Sequence, residues 1–296
     1  MTVTTHPITD SPTTDEVAAP ITFDDINTHS ASTAPARDGA GGVATASAFA
    51  VRTLKQFIRT PQLIALGAAT SVMFLLIFRY VFGGAIGTGS ITYADFLIPG
   101  LAAAGAFFSG TGAAVGVAED VDSGLFDRLR SLPIPRSAVL LGRSVADTAL
   151  VGWALLVTVG VGLLTGFRFH GSAVDGLVAI VLCLVFGAAF SWPFIYMGLI
   201  AGNAQAANGM AFMAFPLVFV SSAYVPVESM PGWMQPVAEN QPVTMMVNAV
   251  RSLSLDERAA EVLAHSSEWY TLRALAWSVL IVAVFAPLAT RRFARG

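Results

Sequence analysis

Lysine, cysteine and charge of either sign are scarce in this chain of 296 residues. Asp, Glu, Lys and Arg together make up 12% of it, whereas soluble globular domains average about 25%. Lys55 is the single lysine and follows leucine, so no Gly-Lys-Ser/Thr loop can cradle nucleotide phosphates. Cys183 is the single cysteine, which excludes an internal disulfide and indicates an apolar packing residue. The chain by itself therefore cannot be a P-loop ATPase.

Residues typical of enzyme or metal chemistry form no recognisable pattern. The four histidines are scattered along the chain, at His6, His29, His170 and His265. The sequence has no His-Glu-x-x-His motif, no cysteine pair and no Gly-x-Ser-x-Gly elbow. It also has no basic stripe that would indicate nucleic acid. We therefore predict no catalytic, cofactor-binding or metal-binding residue in this chain and no nucleic-acid partner.

Long hydrophobic stretches are what the chain has in abundance. Of its residues 55% are hydrophobic, and the mean hydropathy is +0.68. Each stretch supplies about 20 apolar residues or nearly so, the length that a helix needs to cross a bilayer. The sequence therefore predicts an all-α polytopic membrane protein with six transmembrane helices. They are expected at residues 62–82, 94–117, 138–165, 174–200, 208–224 and 270–289.

The basic residues near the ends of these stretches lie on alternate connections. They are Arg52, Lys55 and Arg59, then Arg128, Arg130 and Arg136, and finally Arg291, Arg292 and Arg295. Cytoplasmic loops retain Lys and Arg, so we expect both termini to lie in the cytoplasm. Residues 1–45 are rich in Thr, Ala, Ser, Pro and Asp and have no apolar run, which predicts a disordered cytoplasmic tail. Residues 46–294 form the predicted membrane domain.

Residues 46–60 predict an amphipathic lead-in helix before the first stretch. Apolar residues, among them Val51 and Ile58, recur on one face, and Arg52, Lys55 and Arg59 lie on the other. Such a helix lies along the inner leaflet with its cations near anionic headgroups, and Pro61 breaks it. Either it anchors the entry to the membrane only, or it also has a mechanical role.

The inner segment, residues 118–136, is the most charged part of the chain. Leu125, Leu129 and Leu132 recur at helical spacing and give one apolar face, which two prolines then end. A short helix of this kind could dock in a groove on a cytoplasmic partner. The alternative is an ordinary solvated loop whose arginines only set the topology.

The outer segment, residues 225–269, is the longest predicted connection. Its prolines, among them Pro231 and Pro242, and its Trp233 predict short helices that lie at the interface or re-enter the membrane. The alternative is an extracellular loop with a tryptophan in the aromatic belt.

Two local patterns predict contacts between spans. Arg143 and Asp147 are four residues apart at the start of the third stretch and are expected to pair. The glycine pairs Gly112–Gly116, Gly162–Gly166 and Gly198–Gly202 have the spacing that permits close approach of helices. With 27 glycines in the chain, such spacings also arise by chance.

Together these features resemble a type-2 ABC exporter permease, the family that includes the daunorubicin-resistance membrane subunits. The resemblance covers residues 46–294 and rests on the lead-in helix, the inner segment and the basic C-terminus. Its most specific part is the outer pattern Pro226…Pro231-Gly-Trp233…Gln241-Pro242-Val-Thr244…Arg251.

The resemblance implies a division of labour between subunits. Separate ATPase subunits would bind ATP and Mg, and a second permease copy or a paralogue would complete the path through the bilayer. The lead-in helix with Arg52, Lys55 and Arg59 becomes the connecting helix. Residues near 123–132 become the coupling helix, with Glu119, Asp122, Leu125, Phe126, Leu129 and Arg130 as coupling residues. Pro231, Trp233, Pro242 and Arg251 become the outer gate.

We therefore predict a multi-pass protein of the bacterial plasma membrane that exports a hydrophobic drug, antibiotic or lipid-like compound. The chain would be a transport subunit rather than an enzyme, within a complex that hydrolyses ATP. A permease for envelope polysaccharide or lipid is an alternative within the same class. A secondary, ion-coupled carrier is another, although acids within the stretches are few and lie near their ends. The last alternative is a component of a membrane assembly or receptor that transports nothing.

Overall fold

The computed structural model describes residues 41–88, 90–131 and 134–295, and most of this part of the chain is helical. No β-strand occurs among the described residues. The predicted all-α class is therefore confirmed. The predicted disordered tail, residues 1–45, lies almost wholly outside the described residues and stays a prediction.

Eleven α-helices follow one another in the described part of the chain. In chain order they are α1 Gly42–Arg59, α2 Pro61–Leu76, α3 Tyr93–Asp122, α4 Leu125–Arg130, α5 Arg136–Leu164, α6 Ala173–Ala201, α7 Ala204–Phe212, α8 Phe215–Phe219, α9 Gln235–Asn240, α10 Pro242–Leu255 and α11 Ser267–Arg295. A π-helical turn, Ile77–Phe82, continues α2, and two 3₁₀ turns cover Val227–Ser229 and Asp256–Glu261.

Pro61 separates the lead-in helix from the first apolar stretch, as predicted. α1 ends at Arg59, and the backbone N–H of Thr60 donates to the carbonyl of Phe57 at 3.0 Å. Pro61 then lies in the first turn of α2, where its missing N–H removes no helical hydrogen bond. The lead-in helix itself is longer than predicted, because it begins at Gly42.

Four helices are long and apolar enough to cross a membrane: α3, α5, α6 and α11. They have 29 or 30 residues each, and at 1.5 Å per residue such a helix is about 44 Å long. They correspond to the second, third, fourth and sixth predicted stretches. The coarse prediction of a polytopic α-helical membrane protein therefore holds for these four.

The first and fifth predicted stretches form shorter apolar helices, at Gly67–Phe82 and Ala204–Phe219. The fifth is divided, because α7 ends at Phe212 and α8 begins at Phe215. Pro216 lies in the first turn of α8, a position that suits proline but cannot continue the hydrogen bonds of a preceding helix. The chain then turns irregularly from Val220 to Pro226.

α3 lies at the centre of the bundle and is buried over most of its length. The aromatic side chains of Phe107, Phe190 and Phe194 join it to α6, with ring centroids 4.9 and 5.5 Å from that of Phe107. At Gly198, a Cβ on α6 would lie 2.4 Å from the carbonyl oxygen of Ala114 on α3. The two helices therefore approach so closely here that only glycine fits.

Replacing Gly198 with alanine should force α6 away from α3 and lower the melting temperature. The added methyl would also lie 2.8 Å from Val117 Cβ, and overpacking of this kind costs about 1–3 kcal/mol. Gly209→Ala is the matched control, because Gly209 lies inside α7 with no atom within 4 Å of such a methyl. Thermal melting in detergent should show a lower midpoint for the first variant only. Equal midpoints would contradict the close contact.

Candidate functional site

The predicted inner segment packs against the C-terminal end of α11. The ring of Phe126 on α4 meets the ring of Phe293 edge to face, with centroids 4.9 Å apart. Nη1 of Arg136, at the start of α5, donates to the carbonyl of Ala294 at 3.4 Å. The inner segment and the basic C-terminus, which the sequence predicts on one side of the membrane, therefore meet at one end of the bundle.

A single glycine sets the direction of α4. α3 ends at Asp122, and Gly124 has a φ of +67° in the left-handed region, which side chains rarely adopt. The turn brings Leu125 and Leu129 into partial burial against the hydrophobic core and buries Phe126. Leu132, the third leucine of the predicted apolar face, lies outside the described residues.

The apolar face of α4 is therefore turned towards the chain's own core. The exposed side of the inner segment is polar, and among the predicted coupling residues whose side chains the structure describes, Glu119 and Asp122 are the exposed ones. Arg128, which was not among the predicted coupling residues, is also exposed. The backbone of Arg130 ends α4, while its side chain lies outside what the structure describes.

The lead-in helix α1 packs on α5 through a face that the sequence pattern did not indicate. Thr45 and Thr53 are buried there, and a Cβ at Gly142 would lie 2.4 Å from the carbonyl oxygen of Ala46. The predicted apolar residues Val51 and Ile58 are 49% and 65% exposed. The predicted apolar face is thus free of the protein core and available to lipid.

The three basic residues of α1 differ in their contacts. Lys55 and Arg59 are exposed. Arg52 is also exposed, and its Nη2 lies 3.1 Å from Oδ1 of Asp120 at the end of α3. Asp120 was not predicted as a functional residue, because it lies 68 residues from Arg52 and no local pattern links the two.

The predicted pair of Arg143 and Asp147 is present. Nε of Arg143 lies 3.2 Å from each carboxylate oxygen of Asp147, and both side chains are buried. Nη2 of Arg143 also donates to the carbonyl of Gly112 at 3.2 Å. Through Nη1, which is 3.6 Å from Oδ2 of Asp120, Arg143 joins the same group of charges as Arg52.

At the other end of the bundle, Arg251 is the largest fully buried side chain. It lies on α10, and its guanidinium is 3.7 Å from the centre of the Phe96 ring. Nε and Nη2 donate to the carbonyl of Phe96 at 3.2 and 2.9 Å, and Nη2 donates to the carbonyl of Ser222 at 2.8 Å. Nη1 donates to Oδ1 of Asn248 at 2.9 Å. Arg251 thereby connects α10 to α3 and to the turn after α8.

The other predicted gate residues are placed differently. Pro242 begins α10 and is partly buried. Pro231 and Trp233 lie on the preceding loop, and Trp233 is 78% exposed. The structure therefore places Pro242 and Arg251 on one helix and leaves Trp233 largely exposed on the loop before it.

Gln241 is a further residue at this end whose contacts had no signal in the sequence. Its Nε2 donates to the carbonyls of Leu217 and Val220, at 2.8 and 2.9 Å, and so satisfies the end of α8. Arg251 lines an open cleft of about 1020 Å³, together with Trp269 and other residues of the outer segment and with Tyr270 of α11. The outer segment thus closes over the ends of α3 and α8 while leaving a cleft beside α11.

Comparison with known families identifies this architecture. The model of the ABC-2 type transporter family matches residues 46–255. The chain belongs to the ABC-2 type transporter family. The match contains most of α1, the inner segment and α10, and it includes every residue predicted for a functional site.

The chain is similar to known ABC permeases, to one over nearly its whole length and to another over about half of it. It is 32% identical over 290 residues to the daunorubicin resistance ABC transporter permease protein DrrB1 of Streptomyces coeruleorubidus, covering 97% of this chain and 98% of that protein. It is 28% identical over 159 residues to the probable doxorubicin resistance ABC transporter permease protein DrrC of Mycobacterium tuberculosis, covering 54% and 58%. The prediction of an ABC permease of the daunorubicin-resistance type is confirmed.

Proposed function

We propose that this permease is the membrane subunit of an ATP-driven exporter and moves a hydrophobic drug or antibiotic out of the bacterial cell. A separate ATPase subunit binds ATP and Mg, and this chain supplies the path. The observation that carries the proposal is the linkage between the inner segment, α1 and α5 at one end of the bundle. That linkage gives a soluble ATPase a surface from which movement can reach the spans. The drug class comes from the names of the similar permeases.

Six crossings with both termini in the cytoplasm form part of the proposal. The contacts of Phe126 with Phe293 and of Arg136 with Ala294 support it, because they join the basic segments at one end. Contacts between the predicted outer connections support it at the other end. The backbone N–H of His170, after α5, donates to the carbonyl of Ser254 in the outer segment at 2.9 Å.

The helices α9 and α10 are the proposed re-entrant pair.

The proposed second permease copy or paralogue covers the divided fifth crossing. α7 and α8 meet at an irregular turn, where Phe212 and Met213 are 64% and 79% exposed. A break in a helix is tolerated at membrane depth only where protein or water covers it. A second copy across α7 and α8 supplies such cover and completes the path.

Reversing charge on the exposed face of the inner segment should abolish binding of the ATPase subunit. We expect Asp122→Arg and Arg128→Glu to lose at least tenfold in affinity, because like charges across an interface oppose its formation. Arg291→Glu is the matched control, since Arg291 is exposed at the same end but outside the proposed docking face. Co-purification with the co-encoded ATPase measures the effect. Full retention of the ATPase by both variants would contradict the docking assignment.

The proposed activity is tested in inverted membrane vesicles that contain the chain and its co-encoded ATPase. Daunorubicin is the probe, because the similar permease DrrB1 is named for resistance to it. We expect accumulation of the drug inside the vesicles when ATP is added and none when the ATPase subunit is omitted. Accumulation driven by a proton or sodium gradient without ATP would instead favour the ion-coupled carrier.

A further inference from the structure

Four charged side chains at the predicted inner end form one continuous chain of ion pairs across three helices. Arg52 on α1 contacts Asp120 on α3 at 3.1 Å, Asp120 contacts Arg143 on α5 at 3.6 Å, and Arg143 contacts Asp147 at 3.2 Å. The two carboxylate oxygens of Asp120 face different arginines, because Oδ1 is paired with Arg52 and Oδ2 with Arg143. Asp120 therefore connects α1 to α5 through one ion pair with each helix.

The four side chains become steadily more buried from Arg52 to Asp147. The side chain of Arg52 is 43% exposed, that of Asp120 13%, that of Arg143 8% and that of Asp147 3%. Charges this deep are costly to leave without a partner. The alternation of two positive and two negative groups satisfies each buried charge only while the three helices keep their relative positions.

The guanidinium of Arg143 lies against the backbone of α3. A Cβ at Gly116, on α3, would lie 2.3 Å from Nη2 of Arg143 and 2.7 Å from its Nη1. The missing side chain of Gly116 thus makes room for the guanidinium, whose Nη1 also faces the carboxylate of Asp120. A shift of the end of α3 must therefore either carry α5 with it or break the contact with Arg143.

Asp120 lies in the last turn of α3, immediately before the Gly124 turn that leads into α4. The inner segment is the proposed contact surface for the ATPase subunit, so any displacement of α4 acts first on this turn. On its other side, α1 is in close contact with α5, since a Cβ at Gly142 would lie 2.7 Å from Cβ of Phe49. Asp120 thus lies close to the start of α4 and contacts both neighbouring helices.

We propose that Asp120 is a positioning residue for transport, which passes a displacement of the inner segment to α1 through Arg52 and to α5 through Arg143. The inference rests on the proposed ATP-driven function and assigns the route by which movement leaves the docking surface. Arg52, Asp120, Arg143 and Asp147 form the relay. The helices α1, α3 and α5 then move as one unit at this end when the ATPase subunits change their separation.

Neutralising Asp120 should uncouple ATP hydrolysis from transport while the complex still assembles. Asp120→Asn keeps the shape of the side chain and removes the charge that holds both arginines. Coupling between two sites is typically worth 5–150-fold, so we expect about a tenfold rise in ATP hydrolysed per molecule of daunorubicin moved into vesicles. Arg52→Gln, at the exposed end of the relay, should raise the same ratio without leaving a buried charge unpaired.

Two further variants separate this role from a merely structural one. Arg52→Lys keeps the charge and should restore the ratio to within about twofold of the unmodified chain. Arg291→Gln removes an exposed positive charge at the same end of the bundle and should change the ratio no more than about twofold. A structural role would lower the yield of the complex and leave the ratio unchanged.

The outcomes for the relay and for the exporter are distinguishable. If the unmodified chain moves daunorubicin with ATP and Asp120→Asn and Arg52→Gln keep its ratio of hydrolysis to transport, the relay is overturned and the exporter stands. If the unmodified chain with its ATPase shows no ATP-driven movement of the probe, both proposals are overturned. A raised ratio in both variants, with the ratio restored by Arg52→Lys, supports the relay.

Discussion

Replacing Arg251 with alanine is expected to reduce ATP-driven transport at least tenfold while binding of the ATPase subunit persists. The substitution removes the guanidinium that donates to the carbonyls of Phe96 and Ser222 and to Oδ1 of Asn248. Oδ1 of Asn248 then keeps the hydroxyl of Ser222 as a donor. A buried polar group that loses its partner costs about 1–3 kcal/mol, so the contact between α10 and α3 should weaken strongly. Because Arg251 lies at the end of the bundle opposite α4, docking should be unaffected.

Transport into inverted vesicles and co-purification of the ATPase measure the two expected results separately. Arg251→Lys should recover only part of the activity, since a lysine ammonium cannot reproduce the forked geometry of the guanidinium. Arg273→Ala is the matched control, because Arg273 lines the same cleft but is exposed and stacks only over Trp269, at 4.2 Å. Normal transport by Arg251→Ala would remove Arg251 from the proposed outer gate.

In the sequence, Arg251 was indicated as a candidate gate residue only by its place in the outer pattern. Nothing in the sequence indicated which groups its guanidinium contacts. An arginine in a largely apolar helix indicates a special environment, but its acceptors are backbone carbonyls. The carbonyl of Phe96 lies 155 residues away along the chain. Backbone acceptors have no signature in the side-chain sequence, so the contact could only be found in three dimensions.

Local periodicity predicted elements better than it predicted their orientation. It correctly indicated a helix before Pro61 and a short helix in the inner segment. It indicated a docking face formed by the leucines of the latter. In the structure Leu125 and Leu129 are partly buried against the chain's own core. An amphipathic pattern shows that a helix has two faces, but the neighbouring helices decide which face is buried.

The ion pairs show the same limit. The pair of Arg143 and Asp147 was predicted because four residues bring two side chains together on any α-helix. The contacts of Asp120 with Arg52 and Arg143 depend on how α1, α3 and α5 pack, and no spacing in the sequence encodes them. The relay proposed above therefore consists of one locally predictable link and two that needed the fold.

Arg143→Met should cause the largest loss of stability of any substitution considered for this chain. It leaves the carboxylate of Asp147 buried without its partner and removes the donor to the carbonyl of Gly112. Removing one partner of a buried ion pair costs about 3–5 kcal/mol. By contrast, Arg52→Met acts at the exposed end of the relay, where an ion pair is worth about 0–1 kcal/mol.

A double substitution tests the cause of that loss. Arg143→Met combined with Asp147→Leu removes both charges of the buried pair, and an apolar replacement of a buried pair is often neutral or stabilising. The double variant should therefore melt at a higher temperature than Arg143→Met alone, although Asp120 then keeps only Arg52 as a partner. Thermal melting in detergent measures all three variants. If the double variant melts no higher than Arg143→Met, the loss arises from packing around the methionine and not from the charge left on Asp147.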